Sequence, residues 1–344
     1  CDSGVDMAKL KYEFLDRYHK ANGRPLRNKV FAHINRVNRL GSKFAPFSTW
    51  AARSPLGKLV AGRVLGVHPK RSLPPFVRQT LPKWFSSRRK GNPPEAPLRK
   101  GGANGGRTVV LFNDTFMNYN YPQVGKAAVE VLEAAGFRVE LANAGCCGRP
   151  MISKGLLDEA AAQARYNVDL LHAYAGQGIP IVGCEPSCLL TFRDEYPEFL
   201  EDEKSRMLAK HAFMIDEFLM MLHDRGELEL EFRDVSKKVL FHGHCHQKAL
   251  AGTDNSMRAL RLAPGYQVEQ VNAGCCGMAG SFGFEREHYQ VSMAIGDQAL
   301  FPAVNAKGAD WEVAVSGVSC RQQIEQGTGR TARHLVEVLR DALA

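Results

Sequence analysis

Gly136-Phe-Arg-Val-Glu-Leu-Ala-Asn-Ala-Gly-Cys-Cys-Gly148 returns 129 residues later (265 − 136) as Gly265-Tyr-Gln-Val-Glu-Gln-Val-Asn-Ala-Gly-Cys-Cys-Gly277, with no gap between the copies. The last six residues are identical in both. Two vicinal cysteine pairs in matching contexts mark a duplicated module whose chemistry rests on thiols. Each copy opens with a short run that reads as a strand, 138–142 and 267–271, and the cysteines stand just past its end.

On either side of these copies, strands and helices alternate. Val109–Phe112, Pro180–Gly183, Lys238–Phe241 and Glu312–Ser316 read as further strands. Gln123–Ala135, Leu156–Ala175, Ser256–Leu262, Glu287–Leu300 and Thr331–Leu343 read as helices, and a Met-rich helical stretch covers Lys204–His223. Helices of ten or more residues between strands argue for parallel βαβ units. The fold class is therefore α/β, with two pseudo-symmetric βαβ modules at 107–236 and 237–344. A helix at 7–20 places Met7, Leu10, Phe14 and Leu15 near one face. From 23 to 106 the pattern breaks into short basic helical pieces and a Gly/Pro/Ser linker, which reads as an arm wrapped on another surface.

The 344 residues include 45 Lys/Arg and 36 Asp/Glu, but the surplus is uneven. Through Lys100 there are 22 basic residues against 5 acidic ones. A basic first third suits a solvated face, an acidic partner domain or an anionic membrane surface. It carries no nucleic-acid-binding motif, so nucleic acid is not an expected partner. No apolar run is long enough to span a bilayer, and no secretory signal is visible. Nine clustered cysteines fit metal or redox chemistry in a reducing, cytoplasmic setting better than a disulfide scaffold.

In an open parallel sheet, ligands gather outside the carboxyl ends of the strands. Cys245, Cys275, Cys276 and Cys320 follow three different strands of the second module, and four thiolates suffice for an iron–sulfur cluster or a tetrahedral zinc. The first module offers Cys146, Cys147 and Cys188, with Asp114 taken as the counterpart of Cys245 and Cys184 as a further candidate. A carboxylate changes the charge and softness of a site, so the first module reads as altered, zinc-loaded or empty. Other readings stand beside these: Cys184 as a small buried core residue, and the Cys-Cys pairs as redox disulfides. The histidines of His242-Gly-His-Cys-His246 read as donors to ligand sulfur ahead of ligands or strand-end polar residues. Arg321 and Gln322 are candidates for the same donor role.

Several stretches carry a resemblance: Cys147-Gly-Arg-Pro150, Glu185-Pro-Ser-Cys188, His242-Gly-His-Cys-His-Gln-Lys248, Cys275-Cys-Gly-Met-Ala-Gly-Ser-Phe-Gly283 and Ser319-Cys-Arg-Gln-Gln-Ile324. Together they resemble the CCG (cysteine-rich) domain of heterodisulfide reductase B subunits and of the iron–sulfur subunits of glycolate oxidase and anaerobic glycerol-3-phosphate dehydrogenase. The closer match is to the C-terminal part of FAD-linked D-lactate and D-2-hydroxyglutarate dehydrogenase-type oxidases. The resemblance implies an iron–sulfur segment, of 4Fe-4S type, that takes electrons from a FAD domain or subunit and passes them toward a quinone or other carrier. It implies no catalytic residue in this chain. Residues 1–22 resemble the end of a ferredoxin-like segment, with Cys1 as the last ligand of a cluster whose other cysteines lie upstream. The second module ends in one cysteine, with Gly317 where a Cys-x-x-Cys would begin. That departure argues against non-cubane clusters and disulfide reduction. A zinc-binding docking module and a thiol–disulfide redox subunit are the alternatives, and peripheral contact with the inner membrane face is a further expectation.

Overall fold

The computed structural model describes residues 6–90, 107–142 and 144–344; Cys1, the linker residues 91–106 and Asn143 lie outside the described residues. Ahead of the modules the described residues form the helices α1 Met7–Asn22, α2 Leu26–Ala32, α3 Ile34–Lys43, α4 Phe47–Arg53, α5 Pro55–Val64 and α6 Leu81–Lys90. The first module follows as β1 Thr108–Leu111, α7 Thr115–Tyr119, α8 Pro122–Ala134, β2 Arg138–Leu141, α9 Arg149–Ser153, α10 Leu157–Gly176, β3 Ile181–Gly183, α11 Pro186–Arg193, α12 Glu195–Leu200, α13 Glu203–His211, β4 Ala212–Met214 and α14 Ile215–Asp224. The second repeats the scheme as β5 Lys237–His242, α15 Cys245–Leu250, α16 Asp254–Leu260, β6 Tyr266–Gln270, α17 Tyr289–Gln298, α18 Leu300–Asn305, β7 Trp311–Val315, α19 Val318–Thr328, β8 Ala332–His334 and α20 Leu335–Arg340.

Both sheets are parallel, and they share one topology: β2-β1-β3-β4 and β6-β5-β7-β8. The expected α/β class with two parallel modules holds. The sequence reading did not anticipate β4 and β8. Each is three residues long and runs straight into a helix, too short to show a period of two. They split the expected helices 204–223 and 331–343.

Alternation along β1 separates two apolar layers. Val109 and Leu111 join α8 and α14 on one face, whereas Val110 and Phe112 join α10 and α11 on the other. In the second sheet Leu240, Val313 and Val315 pack on one face, and Val239, Phe241 and Ala314 on the other. Val336 and Leu339 of α20 complete the first module's core rather than their own. Burying such side chains is worth roughly 1.5–3 kcal/mol each, so the modules are held together by a shared apolar layer.

The arm wraps both modules. Tyr12 of α1 packs with Ile152 and Leu156. Arg71, buried, reaches the second module, donating to the Gly283 carbonyl (2.7 Å) and Ser292 Oγ (2.8 Å). The apolar stripe of α1 does not dock: Met7, Leu10 and Phe14 are exposed, while Tyr12, Asp16 and His19 are buried.

Candidate metal centre

Strand order places the crevice of each module where the chain leaves its central strands in opposite directions, beyond β1/β3 and β5/β7. The second crevice collects its thiols from three elements. Cys245 is the first residue of α15, whose N-cap His244 accepts from the His246 amide through Nδ1 at 3.2 Å. The pair Cys275–Cys276 follows β6, and Cys320 stands in the first turn of α19, completely buried. The four sulfurs form a chain of neighbours, Cys245 to Cys275, Cys275 to Cys276 and Cys276 to Cys320.

Backbone chemistry fixes this loop. Gly277 has φ 91°, and a Cβ there would come closer than 3.0 Å to the Ser292 carbonyl oxygen, so only glycine fits. The Gly277 amide donates to Cys275 Sγ at 3.3 Å. Lys248 ties the loop down by donating to the carbonyls of Ala273 and Gly274.

Charge is shared unequally among the thiols. Hydrogen bonds from Cys245 and Cys276, aided by the Gly277 amide, hold Cys275 far below the usual thiol range. Cys320 is lowered by Cys276 and by the neighbouring His242 and His244. Cys245 and Cys276, their donors, are pushed up. Two of the four sulfurs are thus favoured as thiolates, the form that binds metal.

His242 is completely buried, and its ring bonds to Cys320, the thiol it helps to lower. A group ligated by Cys320 would keep this ring at its sulfur. Four thiols converging from three elements are the donor set of an iron–sulfur cluster or a tetrahedral zinc.

The first crevice is a reduced copy. Cys147 and Cys188 stand 3.0 Å apart, with Cys146 beside Cys147. Asn167 and Tyr196 fasten this loop, donating to the carbonyls of Cys146 and Cys147 at 2.9 Å each. The expected pairing of Asp114 with Cys245 shifts by one residue. Asp114 caps α7, accepting from the amides of Phe116 (2.8 Å) and Met117 (3.1 Å), so it matches His244. Thr115, the first helical residue, holds the Cys245 position and bonds to Cys146. All three thiols are raised. In Cys146 the bond it donates to Cys147 dominates, with burial second. In Cys147 the bond from Cys146 lowers, but its own bond to Cys188 and burial prevail; in Cys188 the bond from Cys147 lowers, yet burial and the charges of Asp114 and Glu185 leave it at about 12. Burial, with Glu185 nearby, lifts Asp114 to about 7.

Cys184 is not brought to this group. It packs between the modules with Val182, Ile215 and Val336, and burial raises its pKa strongly. Nor do Arg321 and Gln322 reach sulfur: Arg321 pairs with Glu337 (3.2 Å) and Glu325 (3.3 Å), and Gln322 donates to Tyr121 Oη (3.3 Å). His246 turns toward Asp194 and Glu195 of the first module.

Two residues that sequence reasoning missed join the crevices. Glu185 Oε2 accepts from the Val318 amide at 2.8 Å, capping the very helix that carries Cys320. Gly317 leaves it room, since a Cβ there would lie 3.3 Å from Glu185 Oε1 and 2.7 Å from His244. His334 accepts from the Val336 amide through Nδ1, so its Nε2–H is shared by the carbonyls of Cys184 and Ser316, at 3.2 Å each. These carbonyls follow β3 and β7, one in each sheet. The signal for Glu185 was its place in Glu-Pro-Ser-Cys; His334 lay in a strand too short to recognise.

Paired α/β modules with vicinal cysteines at their crevices define a two-module cysteine-rich-domain protein. The chain belongs to the cysteine-rich domain (CCG) family, whose pattern matches residues 110–193 and 239–325. It is 32% identical over 322 residues to a subunit of the anaerobic glycerol-3-phosphate dehydrogenase of Escherichia coli, covering 93% of this chain and 78% of that protein. Identity to D-2-hydroxyglutarate dehydrogenase of Escherichia coli is 28% over 345 residues, which are 98% of this chain but 32% of that one. Lactate utilization protein A of Bacillus licheniformis is 27% identical over 249 residues, 67% of this chain and 98% of that one.

Proposed function

We propose that this chain is the iron–sulfur electron-transfer unit of a flavin-linked dehydrogenase. The observation that carries the reading is the second crevice: four cysteines from three elements in one chain of neighbours, with the buried His242 bonded to Cys320. Cys245, Cys275, Cys276 and Cys320 would hold the cluster, of 4Fe-4S type. Such a cluster supplies a one-electron carrier when bound. The chain's part is to provide the thiolates, to keep the Cys-Cys backbone close through Gly277, and to exclude water around the buried Cys276 and Cys320. His242 donates from its ring to sulfur, which stabilises added negative charge.

Three thiols, Thr115 in the fourth place and raised pKa values make the first module the structural half, taking no part in electron transfer. We assign 107–236 and 237–344 to the two modules, and 1–22 with Cys1 to the end of a ferredoxin-like segment. The relatives' names speak of glycerol 3-phosphate, D-2-hydroxyglutarate and lactate. The donor is accordingly a FAD domain or subunit oxidising a small anionic alcohol of the 2-hydroxy acid or glycerol phosphate type, and the acceptor is a quinone or another carrier.

Anaerobic reconstitution with iron and sulfide, followed by reduction with dithionite and reoxidation with a quinone analogue, tests this reading. Reversible bleaching with an EPR signal in the reduced state is expected. A colourless chain holding zinc without sulfide would overturn it.

A further inference from the structure

The seam between the modules gathers a second group of metal-ligating side chains, apart from the thiols. Asp194 and Glu195 stand where α11 passes into α12, and His246 is the second residue of α15, in the other module. One ligand atom from each of the three lies within 4.8 Å of the other two. Two carboxylate oxygens and an imidazole nitrogen are donors that first-row divalent ions accept.

The carboxylates are held so that oxygens are left over. Arg149 is fixed by Thr191 Oγ1 at 3.1 Å and donates to Glu195 Oε1. Glu195 is 2% exposed, and its Oε2 is buried without a hydrogen-bond partner. A buried carboxylate oxygen with no donor is costly, and a cation shared with Asp194 and His246 would satisfy it. Lys9 of α1 holds Asp194 from one side in the same way, donating to Oδ1 at 3.1 Å. Outer groups of this kind orient ligating carboxylates.

Charge points the same way. Lys9 also pairs with Glu198, and Asp6, the cap of α1, acts on the His246 ring. Asp6, Asp194, Glu195 and Glu198 thus meet Lys9 and Arg149, an excess of two negative charges that one divalent ion would balance. The other acid–histidine group, Glu285, Glu287 and His288, is closed by comparison. Glu285 Oε1 accepts from Lys154 and from Ser281, and Oε2 faces His288 at 3.1 Å and Arg27 at 3.7 Å.

We propose that Asp194, Glu195 and His246 bind a divalent first-row metal ion, of the manganese(II) or zinc(II) kind, that clasps the first module to the second. Its ligands come from both modules, and Lys9 brings the arm against them. The inference stands apart from the electron-transfer reading, because no thiol takes part.

The probe is manganese(II), which suits oxygen and nitrogen donors and not thiolates. Titrated into the chelator-treated full chain, it should lose its free-ion EPR signal with a stoichiometry of one per chain. The thermal midpoint should rise with its concentration. Glu195→Gln keeps the shape of the side chain, and Asp194→Asn changes a partly exposed one, so far-UV circular dichroism should match the parent chain. Each should weaken binding about tenfold or more and remove the rise in midpoint. Cys320→Ser and Glu287→Gln should bind as the parent does. A parent chain that takes up no manganese in millimolar excess would overturn the proposal, as would unchanged binding in both Glu195→Gln and Asp194→Asn. Binding lost in Cys320→Ser or Glu287→Gln but kept in Glu195→Gln would overturn it too, by assigning the ion to the thiols or to the other acid–histidine group.

Discussion

Replacing Gly277 with alanine isolates what the second crevice demands of its backbone, because the duplication supplies its own control at Gly148. Both glycines follow a Cys-Cys pair and both are left-handed, at φ 91° and 86°. Alanine at either position incurs about 1–2 kcal/mol for that conformation. The surroundings differ. At Gly148 the nearest atom to an added Cβ is the Ala160 carbonyl oxygen at 3.7 Å, an ordinary contact. At Gly277 the Cβ overlaps the Ser292 carbonyl oxygen. That carbonyl is not free to move, since it accepts from the Nε2 of buried Gln323 at 2.9 Å. Relief requires a backbone shift, at a further cost of about 1–3 kcal/mol. Gly277→Ala is therefore expected to lower the urea midpoint clearly more than Gly148→Ala, and to lose most reconstituted iron while Gly148→Ala retains it. Equal losses in both variants would refute the reasoning, because only the overlap distinguishes them.

Further outcomes follow from the residues that join the modules. Glu185→Ala removes the cap of α19 and should cost about 1–2 kcal/mol, with faster loss of iron on chelator challenge; Glu185→Gln should recover part of both. His334 is buried and held down to about 4, first by burial, against about 6.5 when unfolded. Its folded pKa lies below its unfolded one, so its stabilisation is complete above about pH 6.5 and is lost as pH falls toward 4. The span amounts to about 3 kcal/mol, and His334→Gln should flatten the difference in midpoint between pH 7 and pH 4.5. His242→Phe should preserve the fold but shift the midpoint potential of the reconstituted chain downward, read by EPR-monitored redox titration. An unchanged potential would remove His242 as a donor to sulfur.

Much of the fold could be read from the chain because its central strands are Val-rich runs bounded by glycine and helix signals. β4 and β8 escaped because three residues cannot display alternation. The cysteines of the second crevice were legible as a set, since each follows a strand and parallel topology gathers strand ends. The first crevice was misaligned by one residue: sequence similarity aligned Asp114 with a cysteine, whereas cap geometry aligns it with His244 and leaves Thr115 in the ligand's place. Cys184 shows the limit of motif reading: it follows β3 whereas Cys188, four positions on, stands in α11, and the two lie in different apolar layers. The roles of Glu185 and His334 depend on one module meeting the other, which no local pattern records. The stripe on α1 is a related case: its period is helical as read, but the side that docks is the polar one.

The central claim is that the second crevice, and not the first, holds the iron–sulfur group. Iron and acid-labile sulfide per chain, measured after anaerobic reconstitution of single Cys→Ser variants, test it most directly. Substitution of Cys245, Cys275, Cys276 or Cys320 is expected to abolish the second module's iron and sulfide, whereas Cys184→Ser and Cys146→Ser keep it. Full iron and sulfide in the Cys320→Ser and Cys275→Ser chains, or their loss on changing Cys146 alone, would contradict the account.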